Sequence, residues 1–248
     1  MCFLFRLSTA VLLLLLTASP GFSQGESKIK AAKQAQAFLQ QAEILFSQNN
    51  LEEAVQAYHQ ALKVKPDLAE AHYGLGLALA RMERYQDAVS AFREALNYQP
   101  GWPRAQKDLG VTYLKLKRWP EAEEAFRASL EHQPQDAVAY YDLGVAAGKQ
   151  GKHQEALAAF QEALRLEPDY VEALNNLGMA NIKLNRWAEA KSSFEKAISL
   201  KADSAEAYLG LLACYIQQGD SQKAAQTYQT LSTLDQNLAR KADELLGR

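Results

Sequence analysis

A 34-residue pattern is written six times in succession between Ala35 and Leu238, without an insertion or a deletion. Numbering each repeat from 1 to 34, position 20 is always alanine and position 24 is always aromatic. The aromatic residues are Tyr58, Phe92, Phe126, Phe160, Phe194 and Tyr228. A fixed period of this length is typical of supersecondary units that bury their apolar faces only by stacking on neighbours. The pattern predicts six repeats, at 35–68, 69–102, 103–136, 137–170, 171–204 and 205–238.

Each repeat is predicted to contain two helices. In the repeat 69–102, apolar residues recur at helical spacing on both sides of the polar break Glu83-Arg84. Pro100 ends the second helix, because proline disfavours helical backbone in the residue before it. Prolines hold the same place in other repeats, and polar residues that follow are expected to cap the next helix. These expected caps are Asp67, Asp136, Asp169 and Ser204.

Glycine recurs at position 8, inside the first predicted helix, at Gly76, Gly110, Gly144 and Gly178. Glycine within a helix costs about 0.5 to 1 kcal/mol relative to alanine, so its recurrence needs a reason. We expect close approach: glycine at position 8 and alanine at position 20 would let the two helices of a repeat touch through their backbones, while the aromatic residue at position 24 fills the wider gap.

These positions resemble the tetratricopeptide repeat family, which carries Leu-Gly and Tyr in the first helix, Ala and Phe in the second, and a closing Pro. The third repeat shows the motif in Leu109-Gly110, Tyr113, Ala122, Phe126 and Pro134. The resemblance implies an all-α, right-handed superhelical solenoid of antiparallel helix pairs. The first and sixth repeats depart from the motif, as expected of capping repeats. A polar lead-in at 24–34 is compatible with a backward extension of the first helix, and 239–248 is predicted to be a capping helix.

The N-terminal segment differs from the repeats. Arg6 precedes an apolar run at 7–18, and the small residues Gly21 and Ser23 follow it. The run is too short for a helix across a bilayer of about 30 Å, so the segment 1–23 is predicted to be a secretory signal peptide cleaved after Ser23. The chain would then act outside the cytoplasm, secreted or periplasmic, and would meet a membrane only during export. An uncleaved anchor is the alternative interpretation.

Composition gives no sign of nucleic-acid binding or catalysis. The formal net charge is −2 and both signs are interspersed, so no basic field predicts a nucleic-acid partner. The four histidines fall at different repeat positions, and no metal-ligand spacing, phosphate loop or nucleophile motif occurs. We therefore predict a protein that is not an enzyme and has no cofactor, metal or small-molecule substrate.

The family resemblance implies a concave groove lined by positions 2, 5, 6, 9, 12 and 13 of each first helix. Such a groove would bind a peptide or a helix of a partner protein. The predicted groove residues are Tyr73, Leu77, Arg81, Asp108, Val111, Lys115, Tyr141, Asp142, Val145, Lys149, Asn175, Asn176, Met179 and Lys183. The cations at position 13 have a second interpretation, because basic residues near a helix C-terminus also complement the helix dipole.

The sequence therefore predicts a non-catalytic scaffold or adaptor for protein partners. The alternative is a self-associating structural module of an envelope or secretion assembly, in which the end faces of the repeat array pair with each other. Homo-oligomerisation is left open by the sequence.

Overall fold

The computed structural model describes residues 20–245, and this part of the chain is all-α: it contains thirteen helices and no strand. The predicted all-α class is confirmed. The predicted signal peptide at 1–23 lies outside the described residues except for its last four, which begin the first helix. Between residues 20 and 245, no helix is both long enough and apolar enough to cross a membrane.

The chain divides into two compact units, of which unit 1 ends at Pro100. Its helices pack as two hairpins, α1 with α2 and α3 with α4, and α2 packs against α3. Helix α1 runs through the polar lead-in at 24–34 before it enters the first repeat. The helices are α1 (Pro20–Ser47), α2 (Leu51–Val64), α3 (Ala69–Arg81) and α4 (Tyr85–Tyr98).

Unit 2 begins at Gly101 and holds repeats three to six. Each first helix packs against the second helix of its own repeat, and each second helix packs against the first helix of the next repeat. The helices are α5 (Pro103–Lys115), α6 (Trp119–His132), α7 (Ala137–Lys149), α8 (His153–Leu166), α9 (Val171–Lys183), α10 (Trp187–Leu200), α11 (Ala205–Gln218), α12 (Ser221–Leu234) and α13 (Gln236–Leu245).

The last helix, α13, packs on both α11 and α12. It begins at Gln236, three residues before the predicted start of the capping helix at 239. The sequence places no proline there, and the carboxylate of Asp235 accepts hydrogen bonds from the amides of Asn237 and Leu238 at 2.8 and 3.0 Å. Asp235 therefore satisfies the first amides of the helix, which fixes its start inside the sixth repeat.

The glycines at position 8 make room for aromatic rings. A Cβ atom added to Gly144 would lie 2.6 Å from the ring of Phe160, and one added to Gly178 would lie 2.5 Å from the ring of Phe194. The same clash, at 2.7 Å, joins Gly76 to Phe92 and Gly110 to Phe126. The close approach expected at position 8 is thus made by the ring at position 24, while contact with the alanine at position 20 stays a prediction.

The predicted helix caps are only partly observed. Asp136 accepts a hydrogen bond from the amide of Ala139 at 2.9 Å and so caps α7. Asp67 and Asp169 each lie one residue before the capping position, which Leu68 and Tyr170 occupy without a side-chain cap. Ser204 holds the capping position of α11, but its hydroxyl accepts a hydrogen bond from Asn175 instead.

Position 15, between the two helices of a repeat, adopts a left-handed backbone conformation in all six repeats, with φ between 58° and 77°. Residues other than glycine rarely adopt this conformation, yet four of the six are not glycine. The six are Asn49, Glu83, Lys117, Gly151, Asn185 and Gly219. The tight turn between the helices imposes this backbone geometry on whatever residue stands there.

Candidate functional site

The predicted groove residues of unit 1 are largely occupied by contacts within that unit. Tyr73 is buried, and its ring centroid lies 5.8 Å from that of Phe92. The guanidinium of Arg81 lies 5.5 Å from the centre of the Phe46 ring, a cation–π contact. Leu77 is half-buried. The rings of Tyr73 and Phe92 and the Arg81–Phe46 contact thus pack within unit 1, while Arg81 itself remains exposed.

Unit 2 contains a cavity of about 650 Å³, here called the main cavity, which opens between the first helices of the fifth and sixth repeats. Helix α9 contributes most of one wall and α11 most of the other. The lining residues are Tyr141, Val171, Glu172, Asn175, Asn176, Met179, Ile182, Lys183, Phe194, Lys201, Ser204, Glu206, Leu209, Gly210 and Ala213. Its volume falls in the range of sites that hold a ligand or part of a peptide.

A second cavity of about 260 Å³, here called the basic cavity, lies beside the main cavity and is also lined by α9. Helices α7 and α8 form its remaining walls. The lining residues are Gly144, Val145, Gly148, Lys149, His153, Ala156, Phe160, Asn176, Met179, Ala180 and Lys183. Because Asn176, Met179 and Lys183 line both cavities, the two adjoin along one face of α9.

The residues shared by the two cavities, here called the shared floor, include one apolar side chain, Met179, between Asn176 and Lys183 in sequence. Met179 has 45% of its surface exposed, which is unusual for a large apolar side chain in a packed helix pair. Methionine is unbranched and polarisable, so it adapts to apolar groups of different shape. Ile182 and Leu209 extend the apolar surface in the main cavity.

Hydrogen bonds hold the polar side chains of the main cavity in place. The Asn176 amide donates to the Tyr141 hydroxyl at 3.2 Å and to the carbonyl of Glu172 at 3.0 Å. The ring of Tyr141 packs on that of Tyr170, with centroids 5.0 Å apart. The Asn175 amide donates to the Ser204 hydroxyl at 3.2 Å. These bonds fix the orientation of both asparagines before any ligand binds.

Burial raises the pKa of Tyr141, and the charges of Asp142 and Glu172 raise it further. Burial also raises the pKa of Tyr170, to about 12, with smaller contributions from Tyr141 and Asp142. Both phenols therefore stay protonated at physiological pH. Tyr141 presents a neutral hydroxyl to the main cavity.

Asp142 is half-buried on α7, outside both cavities. Burial raises its pKa to about 6, an effect that the charge of Lys107 opposes and the charge of Asp136 reinforces. The Lys107 ammonium lies 2.6 Å from the Asp136 carboxylate, so this cation is already paired. Asp142 thus occupies an environment that disfavours its charged form.

The predicted groove residues separate into two groups in unit 2. Those on α7 and α9 line the cavities: Tyr141, Val145, Lys149, Asn175, Asn176, Met179 and Lys183. Those on α5 line neither cavity, nor does Asp142: Asp108, Val111 and Lys115. The structure therefore brings together half of the predicted set.

Several cavity residues are absent from the predicted set. Glu206 and Leu209 occupy positions 2 and 5 of the sixth repeat, so applying the positional rule to that repeat would have found them. Lys201 and Ser204 belong to the turn between α10 and α11, where the helical positions give no signal. Among the described side chains, no three His, Cys, Asp or Glu residues group as metal ligands.

Comparisons with known proteins agree with the helical-repeat architecture. A family model described as the Cilia and flagella-associated protein 70 C-terminal domain, of the tetratricopeptide type, matches residues 7–245. No curated protein matches the chain.

Solved structures also resemble the chain. The crystal structure of YrrB, described as a TPR protein with an unusual peptide-binding site, shares 27% identity and a TM-score of 0.67, over 72% of this chain and 93% of that one. MamA from Desulfovibrio magneticus RS-1 shares 26% identity and a TM-score of 0.66, over 69% and 97%. Pseudomonas aeruginosa pilF shares 18% identity and a TM-score of 0.70, over 87% and 99%, and shows the fold alone.

Proposed function

Since this chain belongs to the family of the Cilia and flagella-associated protein 70 C-terminal domain and consists of tetratricopeptide repeats, we propose that it is a non-catalytic scaffold that binds a peptide segment of a partner protein in unit 2. Tetratricopeptide folds are generally interaction scaffolds. YrrB, 27% identical, is described as having a peptide-binding site. The observation that carries the proposal is the pair of adjoining cavities along α9.

The chemistry of the main cavity suits an extended peptide. Met179 and Leu209 offer apolar contact to a side chain of the peptide, while Asn175 and Asn176 offer amide groups to its backbone. Asn176 donates to Tyr141 and to Glu172, which uses both of its N–H groups and leaves its carbonyl oxygen as an acceptor for a peptide N–H. Asn175 donates once, to Ser204, so its second N–H can donate to a peptide carbonyl. The hydrogen bonds to Tyr141 and Ser204 already hold these amides in place, so ordering them costs little on binding.

The experiment places a charge on the shared floor. Phage-displayed random peptides of about 12 residues are panned on the purified chain, and the affinity of a selected peptide is measured by fluorescence polarisation. We expect Met179→Glu to weaken binding by roughly tenfold or more, because a buried contact at the centre of an interface carries much of its energy. The control is Ile44→Glu in unit 1, where the side chain is 50% exposed against 45% for Met179.

Failure to select any peptide, or equal loss of affinity in the two variants, would argue against the proposal. The alternative of a self-associating module is checked on the same sample by light scattering. A mass that rises with concentration, and a shift to monomer in Met179→Glu, would assign the cavities to contacts between copies of this chain.

The compartment is a further part of the proposal: the scaffold acts outside the cytoplasm after cleavage at Ser23. Its support is the short apolar run at 7–18 that is followed by small residues. Mass spectrometry of the chain recovered from the producing cells tests it, with Gln24 as the expected N-terminal residue. A mature chain that retains residues 1–23 would overturn the cleavage and favour an uncleaved anchor.

A further inference from the structure

Lys149 and Lys183 are distinguished from the other cations of unit 2 by their position. Several cations of the unit are paired: Lys107 with Asp136 at 2.6 Å, Arg118 with Glu121 at 2.7 Å. Lys152 likewise lies 2.9 Å from the buried carboxylate of Glu123. Lys149 and Lys183 form none of the ion pairs in the described part of the chain, and both are exposed. Lys115 and Lys117 share both properties, so the shared cavity described next is what sets Lys149 and Lys183 apart.

The two unpaired lysines face the same small space. Lys149 ends α7 and Lys183 ends α9, and both line the basic cavity. The imidazole of His153, the first residue of α8, also lines it. No aspartate or glutamate is among its lining residues, whereas the main cavity has Glu172 and Glu206. The basic cavity therefore combines two ammonium groups with an apolar floor and no neutralising acid.

The space exists because position 12 of the fourth repeat is Gly148. Gly148 lines the cavity together with both lysines, and without a side chain it leaves that part of the wall open. A Cβ atom at this position would meet only the Cβ of Ala156, at an ordinary 3.8 Å, so the glycine is not required by packing. Glycine in a helix interior has a cost, and here an open cavity accompanies it.

We propose that Lys149 and Lys183 bind an aspartate or glutamate side chain of the same peptide whose apolar residue contacts Met179. This inference rests on the proposed function and names the class of partner segment: an acidic residue adjacent to an apolar one. The charge complementarity is direct, since an ammonium donates three hydrogen bonds and a carboxylate accepts from several donors. A carboxylate held by two cations gains charge-assisted hydrogen bonds that are stronger than neutral ones.

Interaction with the helix dipole does not by itself explain the arrangement. Lys115, Lys149 and Lys183 all end a first helix, where the last carbonyl groups favour a cation. Lys115 lines neither cavity, so its position is accounted for by the dipole alone. Convergence of Lys149 and Lys183 on one space is the additional feature that points to an anionic ligand.

The test uses the peptides selected on the wild-type chain. We expect them to be enriched in Asp or Glu next to a large apolar residue. The variant Lys149→Gln/Lys183→Gln should bind a selected peptide about tenfold more weakly, since two charge-assisted contacts are lost at a partly exposed site. Replacing the acid of the peptide by its amide should cause a similar loss, and the two changes together should cost little more than either alone.

Two further variants separate recognition from a general effect of charge. Lys149→Arg/Lys183→Arg keeps both charges and should retain most of the affinity. Arg240→Gln/Lys241→Gln removes the same charge from the last helix, away from both cavities, and should bind as wild type. Raising the salt from about 50 to about 300 mM should weaken wild-type binding and leave the Lys149→Gln/Lys183→Gln variant nearly unchanged.

Selected peptides without acidic residues, or full affinity in Lys149→Gln/Lys183→Gln, would overturn this inference. If the selected peptides nevertheless bound Met179→Glu more weakly than wild type, the proposed peptide-binding function would stand, but without recognition of an acidic residue. If no peptide bound at all, the proposed function would fail first. If Arg240→Gln/Lys241→Gln weakened binding as much as Lys149→Gln/Lys183→Gln, the loss would be due to the overall charge of the chain. That result would also overturn the inference.

Discussion

The cation that ends a first helix stacks on an aromatic ring in unit 1 and lines a cavity in unit 2. In unit 1, the guanidinium of Arg81 lies 5.5 Å from the centre of the Phe46 ring, and Phe46 holds position 12 of the preceding repeat. In unit 2, Lys183 lines a cavity together with Gly148, which holds position 12 of its own preceding repeat. The same pair of repeat positions therefore gives a packed contact between Arg81 and Phe46 in unit 1, but a cavity beside Lys183 and Gly148 in unit 2.

This difference shows that a repeat position has no fixed role. Position 13 supplies a cation in both places, but the residue at position 12 of the repeat before it differs: a ring packs against Arg81, whereas Gly148 lines a cavity with Lys183. A ring under the guanidinium contributes a cation–π contact of about 0.5 to 1 kcal/mol at an exposed site. Glycine gives up that stabilisation and leaves the ammonium of Lys183 free to bind a ligand.

The strongest test of the comparison transplants the unit 1 arrangement into unit 2. We expect Gly148→Phe to weaken binding of a selected peptide by roughly 30-fold or more, because the ring would fill the basic cavity and stack beneath Lys183 as Phe46 does beneath Arg81. Fluorescence polarisation measures the affinity, and circular dichroism checks that helicity is kept. Unchanged affinity in Gly148→Phe would show that the basic cavity takes no part in binding.

Two alanine variants control for the loss of glycine itself. Gly148→Ala adds a Cβ with an ordinary 3.8 Å contact, so it should leave binding intact and raise the free energy of unfolding by about 0.5 to 1 kcal/mol. Gly144→Ala, one turn earlier in α7, places a Cβ 2.6 Å from the Phe160 ring and should cost about 1 to 3 kcal/mol. A higher free energy of unfolding in both variants would contradict the assignment of the two glycines to different roles.

The architecture could be predicted from the sequence because the 34-residue period alone determines which residues face a neighbouring helix. The reason for the glycines at position 8 could not be predicted, because the period indicates which positions approach each other but not which atoms are in contact. The turn geometry could not be predicted either. Position 15 has a left-handed backbone in every repeat, but residues such as Glu83 and Lys117 do not by their type indicate that conformation. The tertiary packing of the two helices overrides local preference there.

The candidate site was predicted only in part, for a related reason. The positional rule selects the same residues in every repeat, so it treats Asp108 and Asn176 as equivalent although only Asn176 lines a cavity. A cavity forms where neighbouring residues lack a side chain that would fill it, as Gly148 does in the basic cavity. Loop residues such as Lys201 enter the site through the turn between helices, to which the rule does not apply.

Position 6 gives a second contrast, this time between repeats. In the second repeat it is Gly74, where a Cβ would lie 2.4 Å from the Tyr58 ring, and in the sixth it is Gly210, where a Cβ would lie 2.2 Å from the Phe194 ring, so a neighbouring aromatic fills the position. In the fourth repeat it is Asp142, a half-buried carboxyl whose pKa burial raises to about 6. The fourth repeat thus keeps an acid where its charge is disfavoured, beside the paired Lys107 and Asp136.

The sign of its effect on stability follows from linkage. A carboxyl whose pKa is raised from 3.8 in the unfolded chain to about 6 in the folded one binds its proton more tightly when folded. The unfolded state therefore holds fewer protons between these values, and the contribution of Asp142 to stability falls as the pH rises from about 4 to about 6. Above that range the charged Asp142 remains a net cost.

Asp142→Asn keeps the shape of the side chain and removes this cost. We expect the variant to be more stable than wild type by about 1 to 2 kcal/mol at about pH 7.5, and nearly equal to it at about pH 4, where the wild-type carboxyl is protonated in the folded state. Urea denaturation at both pH values measures the difference. The matched control is Asp136→Asn, which should destabilise at about pH 7.5 because it breaks the 2.6 Å ion pair with Lys107 and weakens the cap of α7. A destabilised Asp142→Asn at about pH 7.5 would mean that Lys107 stabilises both acids, and the carboxyl at position 6 of the fourth repeat would then contribute to stability as a charged group.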